Sequence, residues 1–204
     1  MRTPPEPTFG PGDGVDFANH FDRELAGVFE RREADWRNGA VVYQVLVDRF
    51  APPEDLEAKR HLYPAPKRLR AWDEVPTRGE YLEEAKLWSH EIDFWGGDLA
   101  STRGRLDHIH GLGADVLYLN PIHLAFTNHS YDSLDYAQVA PQFGTRQDVI
   151  DLAETLHGIG MKLVLDGVFN HMGRNSEMFR SAESDPSSRY RDWFDFGEQF
   201  PGGV

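Results

Sequence analysis

Lys162-Leu163-Val164-Leu165-Asp166-Gly167-Val168-Phe169-Asn170-His171 begins as a strand and ends in polar groups that a buried strand does not carry. Leu163, Val164 and Leu165 form the apolar run expected of a parallel strand covered on both faces. Asp166, Asn170 and His171 gather where that strand should emerge. In parallel α/β proteins ligands bind at such exits, because loops beyond the strand C-termini are free to vary.

Working outward, Thr145 is predicted to cap the preceding helix, with Asp148 completing a capping-box-like turn. Val149, Leu152, Ala153 and Leu156 form its inner face, and Gly158 and Gly160 end it. Further upstream, Val116–Leu119 reads as a second strand running into Asn120-Pro121, and Val41–Val47 as a first running into Asp48-Arg49-Phe50. Leu99, Thr102, Leu106 and Ile109 predict a helix between them that stops at Gly111 and Gly113. Gly111-Leu112-Gly113 precedes a strand instead of following one, so it marks no nucleotide site.

Long loops follow the strands. Ala51–Asp93 is charged and interrupted by prolines, with Glu80–His90 as a candidate short helix. Ile122–Gly144 carries Asn128-His129-Ser130-Tyr131-Asp132 and Asp135-Tyr136, and the chain beyond His171 reads as polar and irregular. The turns before the second and third strands are short and glycine-rich. Strands joined by helical crossovers, with the chemistry-bearing residues on one side's loops, have the anatomy of a (β/α)8 barrel. At the N-terminus, Met1–Gly14 reads as a flexible lead-in, and Asp16–Arg32 as a helix with Phe17, Phe21, Leu25 and Val28 on one docking face.

Composition narrows the function. A formal net charge of −13 offers no basic stripe for nucleic acid, and the absence of cysteine excludes disulfides and thiolate metal sites. No apolar run approaches membrane-spanning length and no secretory leader is visible, so the expected location is cytoplasmic. His108 and His110 would point together on a strand. On a helix they diverge by about 200°, which argues against a metal-dependent hydrolase built from them with Asp166.

The segments Val42-Tyr43-Gln44 through Asp48-Arg49-Phe50, Phe94–Leu99, Leu117–Ile122, Asn128–Tyr136 and Asp166–His171 occur in an order and strand context that resembles the first third of the α-amylase family, glycoside hydrolase family 13. Pro141-Gln142-Phe143-Gly144 and Tyr190–Phe194 are similar to its cyclomaltodextrinase, neopullulanase and maltogenic amylase branch. The resemblance implies an α/β chain forming the N-terminal portion of a (β/α)8 TIM barrel. Residues 1–35 would be a lead-in, 36–170 the first three β/α units, and 171–204 the start of an inserted domain.

It also implies retaining hydrolysis or transfer at α-glucosidic bonds of a maltooligosaccharide or α-glucan. Tyr131 is then the aromatic platform under the sugar, His129 and His171 the imidazoles on its hydroxyls, and Asp166 the carboxylate bracing the centre. Asn170 resembles an asparagine that helps hold a structural calcium. In the loop after the first strand, where some relatives bind calcium, Pro52 and Pro53 stand where oxygen ligands would be wanted, so no cofactor is expected to be required. The family's nucleophile, acid/base and stabilising acid follow later strands, so they are expected beyond Val204. A glycan-binding module without catalysis is the rival reading, and isomerising or transglycosylating relatives a further one.

Overall fold

The computed structural model describes residues 20–198, and the chain divides into two units after Ala40. The proline-rich lead-in and the first residues of the expected N-terminal helix lie outside the described residues. That helix, α1, spans His20–Glu33, with Leu25 and Val28 half-buried.

The second unit is built on a parallel sheet. Strand β1 (Val42–Val45) is shorter than the apolar run suggests, because the chain turns into a 3₁₀ segment at Val47–Arg49. The long insertion then forms three two-residue strands, β2 (Arg68–Leu69), β3 (Tyr81–Leu82) and β4 (Leu87–Trp88), a 3₁₀ turn at Ser89–Ile92, and β5 (Asp93–Phe94). The helix expected over Glu80–His90 is therefore an antiparallel hairpin. Its Tyr81 and Trp88 rings pair edge-on at 5.6 Å, a cross-strand contact that the helical alternative would break.

The single helix expected after Asp98 is two short ones, α2 (Leu99–Arg103) and α3 (Leu106–Gly111), parted at Gly104. Leu99, Thr102, Leu106 and Ile109 are nevertheless all buried, as the spacing required. Strand β6 (Val116–Leu119) leads into a segment read from sequence as a loop. It is a bulged hairpin of β7 (His123–Ala125) and β8 (Ser133–Val139). Helix α4 (Arg146–Gly158) starts as predicted: the Thr145 hydroxyl accepts the Asp148 N–H, and the Asp148 carboxylate accepts the Thr145 N–H. Leu152 and Leu156 on its inner face are fully buried. Strand β9 (Lys162–Leu165) follows, and the stretch beyond His171 contains a further helix, α5 (Glu177–Ser184), capped by Ser176.

The sheet order is β1-β6-β9, all parallel, with Val45 opposite Leu119 and Leu119 opposite Leu165. All three strands thus end at one level, and Asp48, Asn120 and Asp166 leave the sheet on the same side. One expectation fails. Strand β9 is not covered on both faces: Leu165 is 44% exposed and Leu163 and Val164 only half-buried. Both β1 and β9 have a single neighbour in this sheet among the described residues, and Val42 is 54% exposed. Open edges with apolar side chains invite intermolecular pairing. The 204-residue polypeptide made alone is expected to unfold without a cooperative transition and to elute as aggregates in light-scattering chromatography. A monomer with a sharp thermal transition would contradict this.

Candidate active site

The exits of β6 and β9 meet at Asp166. Alternation places Asp166 on the same face as Val164, whose register partner on β6 is Tyr118. The Tyr118 hydroxyl donates to Asp166 Oδ2 at 2.7 Å, and the Tyr131 hydroxyl donates to the same oxygen at 2.8 Å. Burial and then the Asp166 carboxylate push the Tyr131 phenol up to about 12, while Asp166 itself is the main cause raising Tyr118. Both tyrosines therefore stay protonated and donating at any physiological pH. Strand β9's exit is fixed further by His123, whose Nε2 lies 3.2 Å from the Asp166 carbonyl and donates to it.

Tyr131 is held at its backbone as well. Its N–H donates to His129 Nδ1 at 3.1 Å, and its carbonyl accepts from His171 Nε2 at 2.9 Å. Ser130 between the two rings has a positive φ of 59°, a conformation rare for non-glycine residues and frequent at functional sites. Asp132 closes the turn from below. It accepts the N–H groups of Phe126 and Thr127 and the Thr127 hydroxyl. The Tyr136 hydroxyl lies 2.6 Å from the carbonyls of both Val168 and His171, tying β8 to the segment after β9.

The structure thus brings Tyr131, His129, His171 and Asp166 together. His171 is exposed, and its Nδ1 lies 3.5 Å from Asn170 Nδ2. Both His129 nitrogens are already engaged, the second by Glu91 Oε1 at 3.2 Å. Tyr118 and Glu91 were missed in sequence. Tyr118 was readable in principle, as a polar-tipped side chain one register step from Asp166. His108 and His110 are exposed on α3, away from this cluster in the fold order, and no group of three or more His, Asp or Glu that could hold a metal occurs among the described residues. Beside the exposed histidine, a hollow of about 490 Å³ is lined by Tyr136, Phe169, His171, Arg174 and Trp193.

The exit of β1 is organised by a buried acid. Asp48 is fully buried and accepts the N–H groups of Trp95 at 3.0 Å and Gly96 at 3.0 Å, while its carbonyl accepts from Gly97 at 2.9 Å. Glycine is required at 97, since a Cβ there would lie 2.2 Å from the Val47 carbonyl oxygen. The Gly96 carbonyl and Asp98 Oδ2 face the Lys59 ammonium at 2.6 and 2.8 Å, and Asp98 Oδ1 caps α2 through Ser101. A calcium ion in this loop would need such oxygens, and about six to eight of them. A lysine cation already satisfies those of Gly96 and Asp98, Pro52 and Pro53 supply none, and the residues present do not fit the metal. Asn170 is exposed with no acidic cluster around it among the described residues.

A profile of the alpha amylase catalytic domain matches residues 44–201. An amylopullulanase of Thermoanaerobacterium saccharolyticum is 37% identical over 173 residues, covering 79% of this chain and 13% of that protein. Neopullulanase 2 of Thermoactinomyces vulgaris is 33% identical over 190 residues, covering 88% of this chain and 29% of its own length. Among solved structures, the cyclic α-maltosyl-(1→6)-maltose hydrolase of Arthrobacter globiformis superposes with a TM-score of 0.63 at 34% identity, over 79% of this chain and 32% of that one. The chain spans less than a third of the length of each of these proteins.

Two predictions follow from the β1 exit. In the longest form of the protein that its gene encodes, chelator and added calcium are expected to leave the melting temperature unchanged, whereas Lys59→Ala lowers it. A large chelator-induced drop that Asp98→Ala abolishes would overturn the assignment. Burial pushes the Asp48 carboxyl up to about 6, against the hydrogen bonds from Trp95 and Gly96. A raised folded-state value means that the Asp48 contribution to stability is full below its usual value of 3.8 and falls as pH rises through 6. The urea-midpoint advantage of wild type over Asp48→Asn should therefore shrink from pH 4.5 to pH 7, and an advantage that grows would refute it.

Proposed function

The chain belongs to the α-amylase catalytic-domain family, and from that premise we propose that it forms the sugar-binding wall of a retaining glycosidase acting on α-glucosidic bonds of maltooligosaccharides. The proposed architecture is the first part of a (β/α)8 barrel, with the segment from His171 opening an inserted domain. The observation that carries the reading is the convergence of two tyrosine hydroxyls on one carboxylate oxygen, with an exposed imidazole beside them. A pyranose offers an apolar face that suits the Tyr131 ring and a rim of hydroxyls that suits His171 and Asp166. Hydrogen bonds to those hydroxyls that strengthen in an oxocarbenium-like transition state contribute several kcal/mol.

Asp166 Oδ2 is committed to Tyr118 and Tyr131, so we assign Asp166 to orienting the site and the sugar, not to attack on the anomeric carbon. Asp132 is held by Phe126 and Thr127, and Asp135 by Ala137 and Gln138. Cleavage with retention needs two carboxyls about 5 Å apart across the bond. This reading assigns that pair to chain beyond Val204 and treats the 204 residues alone as inactive. No helix among the described residues is long and apolar enough to cross a membrane. The name of a related Bacillus subtilis protein, intracellular maltogenic amylase, supports a cytoplasmic setting.

In the longest encoded form, Tyr131→Ala and His171→Ala are each expected to lower kcat/KM on a maltooligosaccharide by at least about tenfold, or about 1.4 kcal/mol. Tyr118→Phe, which leaves the Tyr131 bond to Asp166 in place, should lower it less. Unchanged kinetics in well-folded Tyr131→Ala and His171→Ala variants would dispose of the proposal.

A further inference from the structure

We propose that Glu91 is a positioning residue for this sugar site, acting through His129 to hold the Tyr131 platform; the inference rests on the functional reading above. Hydrogen-bond logic assigns the tautomer. A backbone N–H can only donate, so His129 Nδ1 accepts from Tyr131 and carries no proton; the Thr127 hydroxyl, 3.2 Å from the same nitrogen, can rotate from Asp132 to donate there as well. The neutral ring therefore has its proton on Nε2, which faces Glu91 Oε1 at 3.2 Å. Glu91 thus selects the tautomer that leaves Nδ1 free to receive the Tyr131 N–H. A ring turned over or protonated at Nδ1 would set two donors against each other and release the platform's backbone.

Glu91 can do this only if it is itself held. Its other oxygen, Oε2, accepts the Trp88 N–H at 2.5 Å. Its carbonyl accepts the Asn128 N–H at 2.8 Å, and the buried Asn128 amide donates to the carbonyls of His90 at 2.6 Å and Asp93 at 2.8 Å. The Asp93 side chain is buried between Arg68 Nε at 2.7 Å and Arg70 Nε at 3.0 Å. The turn at Ser89–Ile92 is therefore clamped on both sides, directly against the residue preceding His129. The insertion after β1 thus reaches the His129 imidazole through the Glu91 side chain. Glu91 and His129 keep side-chain exposures of 24% and 32%, so the pair lies at the rim of the site, where the loop can orient the platform without obstructing it.

The test is a double-mutant cycle in the longest encoded form, with melting temperature followed in parallel. Glu91→Ala should lower kcat/KM on a maltooligosaccharide about five- to tenfold, chiefly through KM, while in a His129→Ala background it should change kcat/KM less than twofold. Equal losses in both backgrounds would make Glu91 a loop-stabilising residue only and overturn the proposal. A second readout needs no activity: ¹⁵N-histidine NMR should show His129 as the Nε2–H tautomer in wild type and a tautomer mixture in Glu91→Ala. A single unchanged tautomer in both proteins would equally refute the role. If the tautomer shifts as expected while Tyr131→Ala leaves activity intact, the Glu91 linkage stands and the sugar-site reading fails.

Discussion

Tyr131 has three polar groups, and each is tied to a different part of the chain. Its N–H goes to His129, its carbonyl to His171 and its hydroxyl to Asp166. The loop after β6, the segment after β9 and the exit of β9 itself therefore converge on one ring. A phenol donating to a carboxylate is a charge-assisted bond, stronger than its neutral counterpart. Here the carboxylate holds two such phenols, so moving Asp166 would release Tyr118 and Tyr131 together. The ring is fixed before any ligand arrives, and a platform that need not be ordered on binding loses less affinity to entropy.

The loops that build this arrangement are held by paired charges as well as by the burial of Tyr63, Ile92, Phe94 and Trp95. Read as sequence, Ala51–Asp93 is a long, charged, proline-broken loop with one candidate short helix. Its charges in fact close on specific partners: Lys59 on Gly96 and Asp98, Arg68 and Arg70 on Asp93, and Glu91 on His129. Buried or half-buried ionic groups are costly unless matched. A matched set fixes one loop geometry and penalises others. The same logic places Asp48 under the backbone N–H groups of Trp95 and Gly96, where an apolar residue would leave those donors empty.

What was legible in the sequence was whatever rests on local rules. The Thr145–Asp148 capping box, the apolar faces of α2, α3 and α4, and the three sheet strands follow from periodicity and capping chemistry. The gathering of Asp166, Tyr131, His129 and His171 follows from their places after parallel strands. What escaped rests on pairings distant in sequence. Tyr118 meets Asp166 across 48 positions and Glu91 meets His129 across 38, with no periodic signal to announce either. The hairpin at Tyr81–Trp88 was misread as a helix because the contact that decides it, Tyr81 on Trp88, is a cross-strand one. Strand β9 was read as buried on both faces because its apolar run speaks to what could cover it, while its coverage here depends on which strands flank it.

The central claim is that a glucose ring rests on Tyr131 with its hydroxyls on Asp166 and His171. The most direct measurement is a crystal structure of the longest encoded form with a bound maltooligosaccharide. The account predicts one pyranose face stacked on the Tyr131 ring, a sugar hydroxyl within hydrogen-bond distance of His171 or Asp166, and both tyrosine hydroxyls still on Asp166. An oligosaccharide seated away from the exits of β6 and β9, with Tyr131 free of contact, would contradict it.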